Sequence, residues 1–279
     1  MVVLVRLVRC ASSAGRVRVA CDAREAGVAA GVLKRLGCAV KRVDEHRAGQ
    51  RVWERVAFEC ERSVEREVEA KFADLSWSRR KKRVAVMASV RAHALDAILS
   101  RREAFGFEVP VVVSNHEDLR PIAESCGVPY RVFEITPESK ARQEERELAV
   151  LRALDVDVVV LARYMQILTE PFCRAFEHRI INVHPSVLPA FPGANAYLRA
   201  RRAGVKLVGA TAHYATAELD AGPIIAQAAT ACTHADTVAD LDEKGAALET
   251  AVLLDALCAH LEDRVFVHGN STIVFPPAL

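Results

Sequence analysis

The sequence predicts an α/β protein, in which a mostly parallel sheet with helices on both faces is preceded by a smaller domain. Continuous apolar strands such as Val84–Ala88 and Val156–Ala162 alternate with helical stretches, which is typical of a parallel sheet buried on both faces. The chain of 279 residues is long enough for two domains. Its 51% hydrophobic and 27% charged residues allow a real core and argue against disorder.

The first part of the chain has the spacing of a β-α-β-β-α-β unit, which is the ferredoxin-like pattern. Strands are expected over residues 16–21, 38–43 and 51–59, and helices over 26–36 and 64–72. Before Arg16 the sequence favours a short, irregular N-terminus. Residues 1–21 contain arginine and serine but no acid, as mitochondrial transit peptides do, so a mitochondrial matrix location is the alternative to the expected cytoplasmic one.

A basic run over residues 78–83 separates the two predicted domains, 1–77 and 84–279. It is interpreted as a solvated linker, with a nuclear signal or phosphate patch as the alternative. The net charge of +2 gives no indication of a nucleic-acid partner. No apolar run approaches the ~20 residues of a membrane helix, so no membrane partner is expected. The eight scattered cysteines lack a Cys-x-x-Cys pair, which favours reduced thiols in a cytosol-like compartment.

The second domain is expected to continue the alternation of strands and helices. Further strands are predicted over 109–114, 131–133, 206–214 and 223–230, helical stretches over 93–102, 137–154 and 237–260, and a terminal hairpin over 265–267 and 272–275.

A pair of polar side chains ends one of the buried strands. The apolar approach from Ile180 predicts a strand, and because side chains alternate between its faces, Asn182 and His184 point to the same side. Pro185 stops the ladder, which puts the pair at a strand end, where α/β sheets bind ligands. With Asp220 before a Gly-Pro turn, the set suits carbonyl chemistry, although a turn with a structural histidine is the alternative.

Three longer motifs accompany this set: Ala-Arg-Tyr-Met-Gln-Ile-Leu over 162–168, Leu-Pro-Ala-Phe-Pro-Gly-Ala-Asn over 188–195 and Gly-Ala-Thr-Ala-His-Tyr over 209–214. They resemble the folate-dependent formyltransferase superfamily and, within it, look most like the formyltetrahydrofolate deformylases. The resemblance runs from about residue 83 to 275 and more faintly back to about 16. It implies a formyltransferase-like domain after an ACT-like domain, and hydrolysis of 10-formyltetrahydrofolate to tetrahydrofolate and formate in one-carbon and purine metabolism.

The resemblance also implies a role for each catalytic residue. Asn182 would donate an amide N–H to the formyl oxygen, and a protonated His184 would donate a second hydrogen bond to it. Asp220 would hold the imidazolium, position the water and accept its proton. His213 would support the catalytic loop, with a purely structural histidine as the alternative.

The folate is expected to bind between two loops, as the substrate and not as a tightly bound cofactor. The predicted pocket residues are Tyr164, Met165, Gln166, Ile167, Leu168, Thr216, Ala217, Glu218 and Leu219. A flat pterin suits apolar side chains with a few backbone polar groups, although an apolar string of this kind is often core. No metal is implied, because the nine histidines show no His-x-x-x-His or similar ligand spacing.

Two departures bear on which molecule accepts the formyl group. The turn Ser89–His93 has no glycine, whereas the corresponding turn of glycinamide ribonucleotide formyltransferases is glycine-rich and cradles a phosphate, so water is favoured as acceptor. Pro185, by contrast, stands where deformylases usually carry a second histidine and transferases do not. The alternatives are transfer to an amine such as glycinamide ribonucleotide, or a folate or amino-acid sensor without turnover.

A third departure concerns the small domain. The ligand loop expected in an ACT-like domain, Cys-Pro-Asp-x-x-Gly, here reads Cys-Asp-Ala-Arg-Glu-Ala over 21–26, followed by Gly27. The lost proline and glycine predict that this domain serves chiefly as a surface for homo-oligomer formation and responds weakly to glycine and methionine.

Overall fold

The computed structural model describes residues 4–9, 14–22, 27–48, 51–59, 74–78 and 81–277 of the chain. The chain divides into two compact units. Unit one comprises residues 1–81 with 262–266 and 273–279, and unit two comprises 82–261 with 267–272. The predicted second domain took in all of 84–279, whereas the outer ends of the C-terminal hairpin group with unit one.

Unit one contains, in its described residues, a five-stranded sheet with the order β3-β4-β2-β1-β5. The pairs are antiparallel except for the parallel β1 and β5. The strands are β1 (Leu4–Arg9), β2 (Ala14–Asp22), β3 (Ala39–Ala48), β4 (Arg51–Glu59) and β5 (Asp74–Ser78), and a helix spans Val28–Arg35.

The expectation of an irregular N-terminus is wrong, because residues 4–9 form strand β1 between β2 and β5. The segment reads Leu-Val-Arg-Leu-Val-Arg, so its apolar residues do not alternate with polar ones and the pattern gives no strand signal. The helix expected over 64–72 lies outside the described residues.

The start of the helix Val28–Arg35 is closed by a carboxylate of the same unit. Gly27 takes the left-handed conformation, with φ 77°, which Ala26 was expected to reach only with strain. The Gly27 N–H donates to Glu54 Oε2 at 2.8 Å. Burial raises the pKa of Glu54 and outweighs the backbone hydrogen bonds that lower it. A buried side chain therefore occupies the anion-binding end of this helix.

The C-terminal hairpin supplies part of the core of unit one. Strands β13 (Val265–His268) and β14 (Ser271–Val274) pair with each other. Trp53 of β4 clusters with Phe266 and Phe275, and all three side chains are buried. The Phe266 and Phe275 rings meet edge to face with centroids 5.6 Å apart. Because of this packing, the ends of the hairpin belong to unit one, although the sequence predicted them in the second domain.

Unit two is built on a seven-stranded sheet with the order β12-β11-β10-β9-β6-β7-β8. The strands β6 to β10 run parallel, and β11 and β12 are antiparallel at one edge. The strands are β6 (Val84–Ala88), β7 (Val112–Ser114), β8 (Tyr130–Val132), β9 (Val158–Leu161), β10 (Ile180–His184), β11 (Leu207–Tyr214) and β12 (Ile224–Ala231). The predicted mostly parallel sheet is confirmed.

Helices flank this sheet. They are His93–Arg101, Arg120–Ser125, Lys140–Ala153, Glu170–Ala175, Ala196–Ala203 and Val238–Leu261. Every residue of β6 is buried, so both faces of the central strand are covered. On one face Ala85 and Met87 pack with Leu151 and Phe172 in the main core cluster. The six residues of the helix Glu170–Ala175 are too few to show a helical period, and the helix Ala196–Ala203 was also not predicted.

The basic run between the units is less solvated than expected. Residues 79 and 80 lie outside the described part, but Lys82 is only 6% exposed and its Nζ donates to the His260 carbonyl at 3.3 Å. The Arg83 N–H donates to Asp157 at 2.7 Å. The last two residues of the basic run, Lys82 and Arg83, therefore belong to unit two. Among the helices in the described ranges, none is both long and apolar enough to span a membrane.

One buried carboxyl supports the loop that follows β9. Glu147 on the helix Lys140–Ala153 is fully buried and accepts a hydrogen bond from the Tyr164 hydroxyl at 3.2 Å. Its Oε2 has no hydrogen-bond partner. Burial, only partly offset by the Tyr164 hydroxyl, raises the pKa of Glu147 to about 7.

We predict that this carboxyl makes stability depend on pH. The folded protein holds the Glu147 proton more tightly than the unfolded chain, so folding loses stability as the pH rises from the ordinary pKa of 4.5 to about 7. The loss is on the order of 3 kcal/mol. Glu147→Gln keeps an acceptor for Tyr164, so its unfolding free energy should match wild type near pH 4.5 and exceed it at pH 8 by chemical denaturation. Glu145→Gln, at an exposed position on the same helix, is the control. Equal pH slopes in wild type and Glu147→Gln would contradict the prediction.

Candidate active site

Two neighbouring strands bring together the first pair of polar side chains. Asn182 on β10 lies opposite His213 on the antiparallel β11. The Asn182 Nδ2 lies 3.1 Å from the His213 Nε2. Asn182 is half-buried, whereas His213 is 1% exposed. The sheet register, which the sequence does not show, thus makes the two residues a hydrogen-bonded pair.

The surroundings of His213 fix its proton. Its Nδ1 lies 3.1 Å from the Tyr214 carbonyl, which can only accept, so Nδ1 donates and Nε2 accepts from Asn182. Burial lowers the pKa of the His213 imidazole and outweighs the Tyr214 carbonyl and the Asp220 carboxylate. A neutral His213 therefore orients the Asn182 amide and leaves its second N–H uncommitted to this pair.

Asp220 completes the group from the loop between β11 and β12. Its Oδ2 lies 3.1 Å from the His184 Nδ1 and accepts the Gly193 N–H at 2.7 Å. Its Oδ1 is 3.7 Å from the His213 Nε2, beyond hydrogen-bond distance. Burial alone would raise the pKa of Asp220, but the bonds from His184 and Gly193 hold it below its usual value. The structure therefore brings together Asn182, His184, His213 and Asp220, with the carboxylate ionised.

His184 makes a second contact through its other ring nitrogen. The His184 Nε2 lies 2.9 Å from the Phe191 carbonyl, which also accepts from Arg199 at 2.7 Å. Both ring nitrogens of His184 thus face oxygen acceptors, and a doubly protonated ring would satisfy both. The Nε2 of His184 therefore binds the Phe191 carbonyl. From the sequence, this ring was expected to donate a hydrogen bond to the formyl oxygen instead.

A cavity of about 490 Å³ opens beside the four polar residues. Eight of the nine predicted folate-binding residues line it, all except Ala217. Met165 and Ile167 on one loop and Leu219 on the other are 60%, 58% and 49% exposed. Apolar side chains left in water on two loops of one cavity are typical of a ligand site. By contrast, Tyr164 and Leu168 are also members of the main core cluster, as the alternative interpretation expected.

Ser89 in the glycine-free turn supports the same loop. Its hydroxyl donates to Asn115 Oδ1 at 2.7 Å and accepts the Met165 N–H at 3.0 Å. The turn thus uses its side chain to fix the loop that carries Met165 and Ile167.

Several known proteins are similar to this chain. Residues 82–257 match the family described as formyl transferase. A formyltetrahydrofolate deformylase from Synechocystis sp. is 49% identical over 195 residues, which are 69% of this chain and 68% of the relative. The chain belongs to the formyltetrahydrofolate deformylase family. The resemblance read from the three motifs is therefore confirmed.

Solved structures extend the likeness beyond the formyl transferase match. The crystal structure of a formyltetrahydrofolate deformylase from Pseudomonas syringae pv. tomato is 35% identical, with a TM-score of 0.86 over 94% of each chain. A glycinamide ribonucleotide transformylase from Symbiobacterium toebii is 34% identical, with a TM-score of 0.67 over 71% of this chain and 96% of its own. The deformylase likeness therefore takes in both units, whereas the transformylase likeness leaves over a quarter of this chain uncovered.

Several residues that shape this deformylase-family site were missed from the sequence. Gly193 and Phe191 were quoted in a motif but given no role, because only the folded loop shows their backbone groups against Asp220 and His184. Tyr197 and Arg163 line the cavity, and the buried Glu249 lies behind them. The only sequence signal for Glu249 was its isolated position on the apolar face of the helix Val238–Leu261.

The described ranges of this deformylase-family chain contain no group of three or more His, Cys, Asp or Glu side chains arranged to hold a metal ion.

Proposed function

We propose that this protein hydrolyses 10-formyltetrahydrofolate to tetrahydrofolate and formate with Asn182, His184 and Asp220 as its catalytic residues. The observation that carries the proposal is the state of Asp220. Its Oδ2 is held by His184 and Gly193, while Oδ1 lies beyond hydrogen-bond distance of the nearest imidazole. An ionised carboxylate with one oxygen free beside an amide donor suits water attack on a carbonyl.

The substrate would bind with its flat pterin between the loops 164–168 and 216–219. The exposed Met165, Ile167 and Leu219 offer apolar surface to the ring. Backbone groups of the same loops would bind the polar edge of the pterin, which is the usual composition of such sites. Burying these three side chains under the ring would add to the affinity.

The reaction then follows from the positions of the donors and the acceptor. A water held by Asp220 attacks the formyl carbon and gives its proton to Oδ1, while negative charge develops on the formyl oxygen. The free N–H of Asn182 and the Nε2–H of His184 stabilise that oxygen, so His184 exchanges the Phe191 carbonyl for the formyl oxygen. Breaking the C–N bond returns the proton from Asp220 to the folate nitrogen and releases formate and tetrahydrofolate.

Water is favoured as the acceptor because of the turn after β6. Its Ser89 hydroxyl is already engaged by Asn115 and Met165, and the turn has no glycine that would let a phosphate approach the backbone. Arg91, which follows, is paired with Asp242 at 2.8 Å, and both side chains line the cavity. A phosphorylated amine would have to compete with Asp242 for Arg91.

We predict turnover without any amine acceptor. Formate should appear in equal amount with tetrahydrofolate when purified protein meets 10-formyltetrahydrofolate in buffer, because water is the proposed acceptor. Both products can be followed, formate by an enzyme-coupled assay and tetrahydrofolate by absorbance. Adding glycinamide ribonucleotide should leave the rate unchanged. Turnover that begins only with an amine present would refute the hydrolase assignment and favour the transferase.

We predict separate losses for the two oxyanion donors. Asn182→Ala and His184→Ala should each lower kcat by about 10²–10³-fold, the usual effect of removing one such donor. Folate affinity, measured by fluorescence titration, should stay near wild type because the pterin contacts are elsewhere. His234→Ala, at an exposed position away from the cavity lining, is the matched control. Full activity in His184→Ala, or loss of wild-type activity after exhaustive chelation, would exclude this mechanism.

Unit one is proposed to be an ACT-like domain that joins copies of the chain into a homo-oligomer in the cytoplasm. Glu54 supports the weak response to amino acids, because its buried carboxylate takes the Gly27 N–H that a ligand carboxylate would need. The edge strand β3 carries Val43, which is 44% exposed and suits contact with another copy. The pairing of residues 4–9 within the sheet favours a cytoplasmic location over a removable transit peptide.

We predict that a charge on this edge weakens the oligomer. Val43→Glu should shift the mass measured by light scattering towards the monomer, because like charges would meet across a β3 contact. Leu207→Glu, at a 62% exposed position in unit two, is the control and should leave the mass unchanged. Glycine or methionine at millimolar concentration should change turnover by less than about twofold. A monomeric wild type, a response to Leu207→Glu alone, or severalfold regulation would each contradict this proposal.

A further inference from the structure

One fully buried carboxylate in unit two is shared by three segments that border the cavity. Glu249, on the helix Val238–Leu261, is 1% exposed. Its Oε1 accepts the Tyr197 hydroxyl at 2.9 Å, and its Oε2 lies 3.0 Å from the His93 Nε2 and 3.5 Å from the Arg163 Nε. Burial would raise the pKa of Glu249, but the His93 side chain, the Arg163 charge and the Tyr197 hydroxyl together hold it below its usual value. An ionised acid thus joins two hydrogen-bonding side chains, Tyr197 and His93, and the Arg163 cation.

Tyr197 connects this acid to the catalytic pair. It lies in the helix Ala196–Ala203, directly after the loop whose Phe191 carbonyl binds His184 and whose Gly193 N–H binds Asp220. The helix and this loop are further tied by Arg199, which donates to the carbonyls of Phe191 and Gly193 at 2.7 and 3.3 Å. A displacement of Tyr197 would therefore move the groups that fix His184 and Asp220.

Arg163 and His93 connect the acid to the folate loop. Arg163 has a positive φ of 61° and immediately precedes the pocket residues Tyr164–Leu168. His93 follows the turn whose Ser89 hydroxyl binds the Met165 N–H. Both segments thus reach the loop that carries the exposed Met165 and Ile167.

The helix that carries Glu249 leaves space for the tyrosine ring. A Cβ at Gly245, one turn earlier, would lie 1.7 Å from the Tyr197 hydroxyl oxygen and 2.2 Å from its ring carbon Cζ. The ring therefore lies directly against the helix backbone, in contact that only glycine permits. Two independent features fix the position of the Tyr197 hydroxyl. One is the Glu249 carboxylate that accepts its hydrogen bond, and the other is the space left by Gly245.

We propose that Glu249 is a positioning residue for deformylation, which holds the His184–Asp220 pair through Tyr197 and the folate loop through Arg163. The inference rests on the proposed function, because the pair it positions is the proposed catalytic pair. Glu249 lies behind the cavity wall and is not among its lining residues, so it acts only through its partners.

The decisive variants remove the two features separately. Tyr197→Phe keeps the ring but loses the hydrogen bond to Glu249, and Gly245→Ala keeps the hydroxyl but displaces the ring. Each should lower kcat by about tenfold to a hundredfold, as misplaced catalytic groups do, with KM for 10-formyltetrahydrofolate within about twofold of wild type. Glu249→Ala frees Arg163 as well, so it should lower kcat and raise KM. Glu249→Gln, which keeps an acceptor, should recover part of both.

A matched control separates positioning from general stability. Tyr130→Phe removes another buried tyrosine hydroxyl, which donates to the His116 carbonyl at 2.7 Å in the same unit. It should cost comparable stability in thermal unfolding yet leave kcat unchanged. If Glu249→Ala does not fold, Tyr197→Phe and Gly245→Ala still decide the matter.

A second readout does not depend on turnover. In ¹⁵N-histidine-labelled protein, the His184 ring signals should shift in Tyr197→Phe and Gly245→Ala and stay in place in Tyr130→Phe. Unshifted signals, a wild-type kcat in both variants, or an equal loss of kcat in Tyr130→Phe would overturn the positioning role. A wild type without hydrolysis whose His184 signals still respond to Tyr197→Phe would overturn the proposed function alone.

Discussion

The candidate active site depends on the carboxylate of Asp220, because this group accepts hydrogen bonds from segments far apart in the chain. Its Oδ2 accepts from the backbone of Gly193 and lies against His184 on β10, and its own loop follows β11. Without an ionised carboxylate at this point, the imidazole of His184 and the N–H of Gly193 would both lose their acceptor in a buried place, which is costly. The bonds that keep Asp220 charged are thus the bonds that assemble the site.

Buried carboxylates that join several segments also occur behind the cavity and in unit one. Glu249 joins two hydrogen-bonding side chains and the Arg163 cation, and Glu54 closes the start of a helix. Buried carboxylates of this kind contribute little net stability, because their desolvation offsets what the contacts supply. Their consequence is geometric, since each fixes several segments relative to one point. Burial prevails over the hydrogen bonds at Glu54 and raises its pKa, and at Glu147, with one tyrosine hydroxyl as its partner, burial raises the pKa to about 7.

One side of the cavity consists of hydrogen-bonded polar residues, and the other side consists of less constrained apolar side chains. His213 and His184 are nearly inaccessible to water, whereas Met165 and Ile167 are mostly exposed. A preorganised set of donors needs no rearrangement as charge develops, and exposed apolar loops can adapt to a flat ring. Of the proposed catalytic groups, His184 is the one that would have to change its partner, because the Phe191 carbonyl accepts from its Nε2.

The sequence by itself determined the periodic and local features of this protein. Apolar runs predicted the parallel strands, alternation put Asn182 and His184 on one side of β10, and the motifs predicted the deformylase family. Wherever no period or motif exists, the sequence was silent or misleading, as with residues 4–9 and the buried Lys82. Only the tertiary structure decided that Asn182 lies opposite His213, that Asp220 reaches His184, and that Glu249 lies behind Tyr197. Each of these is a contact between segments that are remote in sequence, and the register and loop closure that create it depend on the packing of the whole sheet rather than on the residues nearby.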